Sequence, residues 1–113
     1  MDMENRWFVK KEDLVAVQQK PGLKRRTMAH IDEIMMCLFE QDTGAVVDQH
    51  THAAVQNGYV LSGRIKFIKA DGTSVIAEAG DSYAFASNEP HGSVCLEHAL
   101  FIENFAPRRE EYV

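Results

Sequence analysis

The chain has little of what small proteins use to staple or anchor themselves. Only two cysteines occur in 113 residues. Cys37 and Cys95 each sit inside an apolar run, IMMCLF and SVCLE, where free, buried, hydrophobe-like thiols are expected. No disulfide framework is needed, although a single bridge between them stays open. Long hydrophobic runs are also missing. The longest, Ile34 to Phe39, is far too short to span a bilayer, so no membrane partner is expected. The first residues, MDMENRWFVKKEDL, place acids before bases and hold no apolar stretch of signal-peptide length, which leads us to expect a soluble, cytoplasmic protein.

Positive charge is scarce as well. With 12 Lys and Arg against 17 Asp and Glu, the formal net charge is −5, which argues against a nucleic-acid partner because non-specific affinity for phosphate backbones rests on a basic face. The one basic cluster is Lys24-Arg25-Arg26. On a strand its side chains alternate between faces, and a solvated edge strand explains it at least as well as a ligand contact. No linker, low-complexity tract or repeat of solenoid period interrupts the chain, so one domain is expected over residues 1–113.

What the chain does have is many short apolar stretches bounded by turn residues: WFV, LVAV, LKRRTMA, IMMCLFE, VQNGYVLSG, RIKFIKA, TSVIAEA, SYAFA, GSVCLE and ALFIENFA. Their length and their Val, Ile, Phe and Tyr content favour strands. Asp71-Gly72 between RIKFIKA and TSVIAEA predicts a tight hairpin of type I′. Strands at this spacing predict an all-β sandwich or barrel. Ile34 to Phe39 is apolar on both faces, which a strand tolerates only when both are covered. The N-terminal WFV and LVAV strands, within residues 1–20, are expected to supply that cover from the same chain or from a second subunit, and a homodimer is the expected state.

The chemistry concentrates in QHTHAAVQNGYVLSG. On a strand His50 and His52 point to the same side, and Gln56 joins them if the strand stays regular. A further histidine, His91, follows the Asn88-Glu89-Pro90 turn. His-x-His alone is a weak signal, but the wider spacing is specific. Gly44, His50-x-His52, Gln56 and Gly63 resemble the first signature motif of the cupin superfamily, with Gln where Glu is usual. Gly80, Ala86, Asn88 and His91 resemble the second, with Ala for its Pro, Asn for its Gly and Cys95 for its closing Asn. The resemblance implies a double-stranded β-helix, or jelly-roll, cupin barrel in which His50, His52, Gln56 and His91 hold one divalent transition metal per chain. Imidazole and amide oxygen suit Zn, Ni, Fe, Mn or Co.

From about Pro21 onward the chain is similar to KdgF-type pectin-degradation cupins. Gln56 in place of Glu and the closing FAPRRE segment are the features more specific than the general motifs. That resemblance implies a metal-dependent isomerase that opens 4,5-unsaturated uronates from pectin or alginate to linear 5-keto-4-deoxyuronates, with a small sugar acid as partner. It places the catalytic acid on Glu103, where Asp is more usual, an aromatic on Phe105 and a carboxylate-binding arginine on Arg109; Arg108 inherits no role. Phe105 would pack on the sugar ring and keep water out. A cupin dioxygenase and a non-enzymatic sugar- or metal-binding cupin are the alternatives. His30 and His98 are expected at the surface or just behind the site, and Cys95 is spaced to face the cavity without a base to activate it.

Overall fold

A computed structural model describes residues 5–113. Strands β1 (Ala16–Lys20), β2 (Leu23–Ile31), β3 (Ile34–Gln41), β4 (Val46–His50), β5 (Val55–Lys69), β6 (Ser74–Glu78), β7 (Ser82–Phe85) and β8 (His91–Ala106) make up the fold. All pairings are antiparallel. Among the described residues there is no α-helix, and so none long and apolar enough to cross a membrane.

Two expected pairs of strands are fused. VQNGYVLSG and RIKFIKA form the single strand β5, and GSVCLE and ALFIENFA form β8. These two pair along nearly their whole lengths, from Val55 opposite Ala106 to Lys69 opposite His91. Each then serves two sheets. The first half of β5 also pairs with β7 and its second half with β6, while β8 pairs first with β4 and then with β3. One sheet therefore runs β1-β2-β3-β8-β5-β7 and the other β4-β8-β5-β6, sharing two bent strands. This is the expected all-β jelly roll.

Gly63 marks the bend. Its φ is +85° and the pairing register shifts around it, as at a bulge. A Cβ there would stand 2.1 Å from the His98 carbonyl oxygen, so only glycine lets β5 approach β8 this closely.

Alternation sorts the core from the surface. Met35, Cys37, Phe39 and Gln41 on β3, and Ala99, Phe101, Glu103 and Phe105 on β8, point inward and are buried. Their neighbours Ile34 and Met36 point outward and are exposed. The expectation that the N-terminal segment covers this outer face of β3 does not hold within the chain. WFV forms no strand, and Trp7 and Phe8 are exposed, beside an Arg6 bridge to His30 and an Arg108 hydrogen bond to the Asn5 side chain at 2.8 Å. LVAV enters a strand only from Ala16, and that strand extends the sheet sideways through β2. Consequently β2 is not an edge, and the basic cluster is not simply solvated: Lys24 is exposed and Arg26 meets Glu40 at 3.3 Å, but Arg25 turns inward and is buried.

The Asp71-Gly72 hairpin forms, with a different turn. Only Gly72 has positive φ, its N–H donates to Lys69 O and the Lys69 N–H donates to Thr73 O. That is a type I turn closed by a left-handed glycine, the three-residue alternative to I′. Both cysteines are buried and free.

Candidate metal centre

Three histidines converge at one mouth of the barrel. His50 ends β4, His91 begins β8, and the two are paired in register. The strand argument for His50-x-His52 needs correction, because β4 stops at His50 and His52 lies in the crossing that carries the chain over the mouth to β5. Another contact sets its position: Asn88 N–H donates to the His52 carbonyl at 2.8 Å. Asn88 has φ +60°, a left-handed conformation that asparagine tolerates better than most residues, so it can stand where the family motif has glycine.

Ring centroids lie 4.5 Å apart for His50 and His91, 5.2 Å for His52 and His91, and 5.6 Å for His50 and His52. One ligand atom from each falls within 4.8 Å of the others. Each Nδ1 sits beside a backbone carbonyl: Asp48 at 3.0 Å for His50, Ala54 at 2.7 Å for His52 and Glu89 at 2.8 Å for His91. A carbonyl only accepts, so Nδ1 carries the proton and Nε2 keeps its lone pair. Phe85 stacks on His91 at 4.2 Å, and Phe105 meets His52 edge-on at 5.7 Å. Burial pushes the His91 pKa down to about 4 and lowers that of His52, so both rings are neutral donors at neutral pH.

Gln56, on β5, lines the same cavity as His50 and His91. Its Nε2 donates to Glu103 Oε2 at 2.9 Å, leaving Oε1 buried with no partner. The Nε2 atoms of His52 and His91 are likewise buried and unpartnered. Orphaned buried acceptors cost free energy, and lone pairs gathered in this way fit a divalent transition cation. The amide also explains why Gln stands where Glu is usual. A carboxylate at position 56 would lie against Glu103 and repel it, whereas the amide donates to Glu103 and still offers an oxygen.

Glu103 is 7% exposed, at an inward position of β8 between Phe101 and Phe105. Its Oε2 accepts from Gln56 and, at 2.7 Å, from the Tyr83 hydroxyl. Burial raises its pKa to about 7, against the opposing pull of these two donors and of the Arg109 charge. Near neutrality it is thus populated both as acid and as base.

Glu103, Gln56, His50, His91 and Arg109 line one cavity of about 290 Å³ whose floor includes Phe39, Phe67 and Phe101. Arg109 reaches it from the segment after β8, with Nη1 on the Tyr112 hydroxyl at 2.9 Å and Nη2 on Glu111 at 3.2 Å. Its Nε is buried and unpartnered. Phe105 is not among the cavity-lining residues. It is buried behind them, with the Arg109 guanidinium 5.2 Å from its ring, so the expected role as a platform for a sugar ring does not match its position; it supports His52 and Arg109 from the core.

Other expectations shift too. His30 is buried, with Nδ1 against Met28 O, not at the surface. His98 is exposed, as expected, and pairs with Glu40 and Asp42. Cys95 lies outside the cavity lining, its Sγ directed at the Gln41 and Glu97 carbonyls. Three residues of this region were not anticipated. Tyr83 holds Glu103, and Tyr112 is sandwiched between the guanidinium groups of Arg25 at 4.4 Å and Arg109 at 4.2 Å. For Tyr83 and Arg25 the available signal was alternation: Tyr83 shares a face with Phe85, and Arg25 with Leu23. Tyr112 lies outside any strand and gave none.

Residues 37–101 match the Cupin domain family. The chain is 32% identical over 94 residues to the pectin degradation protein KdgF of Dickeya dadantii (strain 3937), covering 81% of this chain and 84% of that one. Among solved structures it resembles an RmlC-like cupin from Shewanella frigidimarina NCIMB 400, with a TM-score of 0.87 and 31% identity over 94% of this chain and 95% of the other. It also resembles KdgF from Halomonas sp., with a TM-score of 0.86 and 30% identity over 94% and 97%.

Proposed function

Because the chain belongs to the cupin family, we propose that it is a metal-dependent isomerase that opens 4,5-unsaturated uronates to linear 5-keto-4-deoxyuronates. The observation that carries this reading is a cavity that brings His50 and His91 of the three-histidine group together with an arginine and a buried carboxyl group whose pKa burial raises to about 7. The relative named for pectin degradation and the KdgF structure support the same substrate class.

Nε2 of His50, His52 and His91 and Oε1 of Gln56 would hold the ion. When bound, a divalent transition cation supplies Lewis-acid stabilisation to oxygens on which negative charge develops. The remaining chemistry belongs to the chain. Arg109 binds the sugar carboxylate, since its planar fork matches two carboxylate oxygens. Glu103, as carboxylate, takes the proton of the C1 hydroxyl. The bond from C1 to the ring oxygen breaks, leaving an aldehyde at C1 and an enolate at C5. Glu103, now an acid, protonates C4 as the enolate becomes a ketone, and ends in its starting state. The apolar floor of Phe39, Phe67 and Phe101 limits water around the reacting ring.

The test is loss of the C4=C5 absorbance when metal-loaded protein meets lyase-generated unsaturated monouronate. Acceleration that disappears in Glu103→Gln and Arg109→Ala is expected. No acceleration with the metal fully loaded removes the reading; oxygen uptake, or ligand binding without turnover, would then redirect it to a dioxygenase or a binding cupin. The homodimer belongs to the same proposal. Ile34, Met36, Val55 and Tyr59 form an exposed apolar patch on the outer face of β3 and β5, a surface suited to a second copy.

A further inference from the structure

The inward-facing row that contains Glu103 crosses the sheet as Cys37 on β3, Glu103 on β8, Gly58 on β5 and Tyr83 on β7. Glu103 and Tyr83 are thus not neighbours: a whole strand separates them, about 10 Å between backbones. They meet because Gly58 has no side chain. A Cβ at Gly58 would stand 2.3 Å from the Tyr83 Cζ and hydroxyl oxygen and 2.7 Å from Cε2. The phenol ring lies across the space any other residue would fill, and its hydroxyl reaches Glu103 Oε2 at 2.7 Å. Tilted ring contacts hold the phenol in place, with Phe67 at 4.1 Å and Phe85 at 5.8 Å.

Tyr83 and Gln56 both donate to the same oxygen, Oε2. Among the described residues no hydrogen bond is made to Oε1, and Glu103 lines the cavity. The terminal torsion of a glutamate is soft and roughly two-fold, so a carboxyl group without these donors would present either oxygen. We infer that Gly58 and Tyr83 form a positioning device that turns Oε2 of Glu103 to the barrel wall and presents Oε1 to the substrate. Tyr83 is not among the cavity-lining residues, so it acts through Glu103. The catalytic consequence rests on the isomerase reading above; the orientation of the carboxyl group does not.

Tyr83→Phe removes only the hydroxyl and tests both parts. Misplacing a reacting group by about 1 Å costs about 100-fold in rate. In the metal-loaded full chain the variant should therefore lose at least about tenfold in kcat with KM within about twofold, and its crystal structure should show the Glu103 carboxyl rotated or in two orientations. Gly58→Ala, which drives the ring away, should give a similar loss of kcat, and the double variant should be no slower than the slower single. A Glu103 carboxyl that keeps its orientation in the Tyr83→Phe structure overturns the inference whatever the rate does. So does a variant that loses thermal stability while keeping kcat within about twofold, because Tyr83 would then be only a packing residue. If the wild-type protein does not turn over the uronate, the functional reading falls and the crystal structure alone decides the orientation.

Discussion

Replacing Glu103 by Gln should stabilise the metal-free protein at high pH while abolishing turnover. Between an unfolded value of 4.5 and a folded value of about 7, the folded chain keeps a proton on Glu103 that the unfolded chain has released. Stability contributed by the carboxyl group therefore falls as pH rises through that window and is lowest above pH 7. A displacement of this size corresponds to about 3 kcal/mol. Gln is nearly isosteric and does not titrate, and its amide oxygen can accept from both Tyr83 and Gln56. The stability of Glu103→Gln relative to wild type should thus move in the variant's favour by about 2 to 3 kcal/mol from pH 5 to pH 8. Urea unfolding of both chelated proteins at the two pH values reads this directly. The difference matters more than either curve. His52 and His91, which burial keeps neutral, destabilise the metal-free fold as pH falls below about 6.5, but they do so in both proteins and cancel. A difference that is the same at pH 5 and pH 8 would refute the account of Glu103 as a carboxyl held protonated by burial.

Loss of one ligand should abolish metal capture. His91→Ala is expected to reduce uptake from about one ion per chain to background by elemental analysis. It should also remove the stabilisation, about 2.7 kcal/mol at 100-fold excess over Kd, that zinc or nickel gives the wild type; undiminished uptake would break the assignment. Gln56→Glu replaces a donor 2.9 Å from Glu103 Oε2 by a second carboxylate, so Glu103 should keep its proton to higher pH and the pH optimum of turnover should rise by about one unit; an unmoved optimum contradicts the pairing. Gly63→Ala, with its Cβ 2.1 Å from the His98 carbonyl oxygen, should lower stability by about 2 to 4 kcal/mol in urea. Gly44→Ala, also at positive φ but in open space, should cost only about 1 kcal/mol, and equal losses would show that close approach is not what fixes Gly63. For the proposed dimer, Tyr59→Asp on the outer face should shift light scattering toward the monomer mass, and a wild type that is monomeric at micromolar concentration would end that proposal.

The amino-acid sequence alone determined the all-β class, which resides in local periodicity, and its resemblance to the cupin motifs picked out the three histidines that come together and could hold a metal ion. Alternation along β3 and β8 separates core from surface one residue at a time, and the turn residues mark where strands end. Local pattern could not tell that two pairs of strands are continuous, since that depends on Gly63 meeting the His98 carbonyl across a strand pair. Nor could it place His52, which leaves the strand and is tied down by Asn88 from another turn. Gln56 donates to Glu103 and keeps its amide oxygen buried, and only the assembled site makes the amide intelligible. Tertiary structure also moved Phe105 out of the cavity and brought Tyr83 to the acid over a glycine. Glu103 reads as an ordinary charged residue near the end of the chain. Its raised pKa comes from burial between Phe101 and Phe105, which raises the free energy of its charged form, and burial is a property of the assembled barrel that no segment possesses by itself.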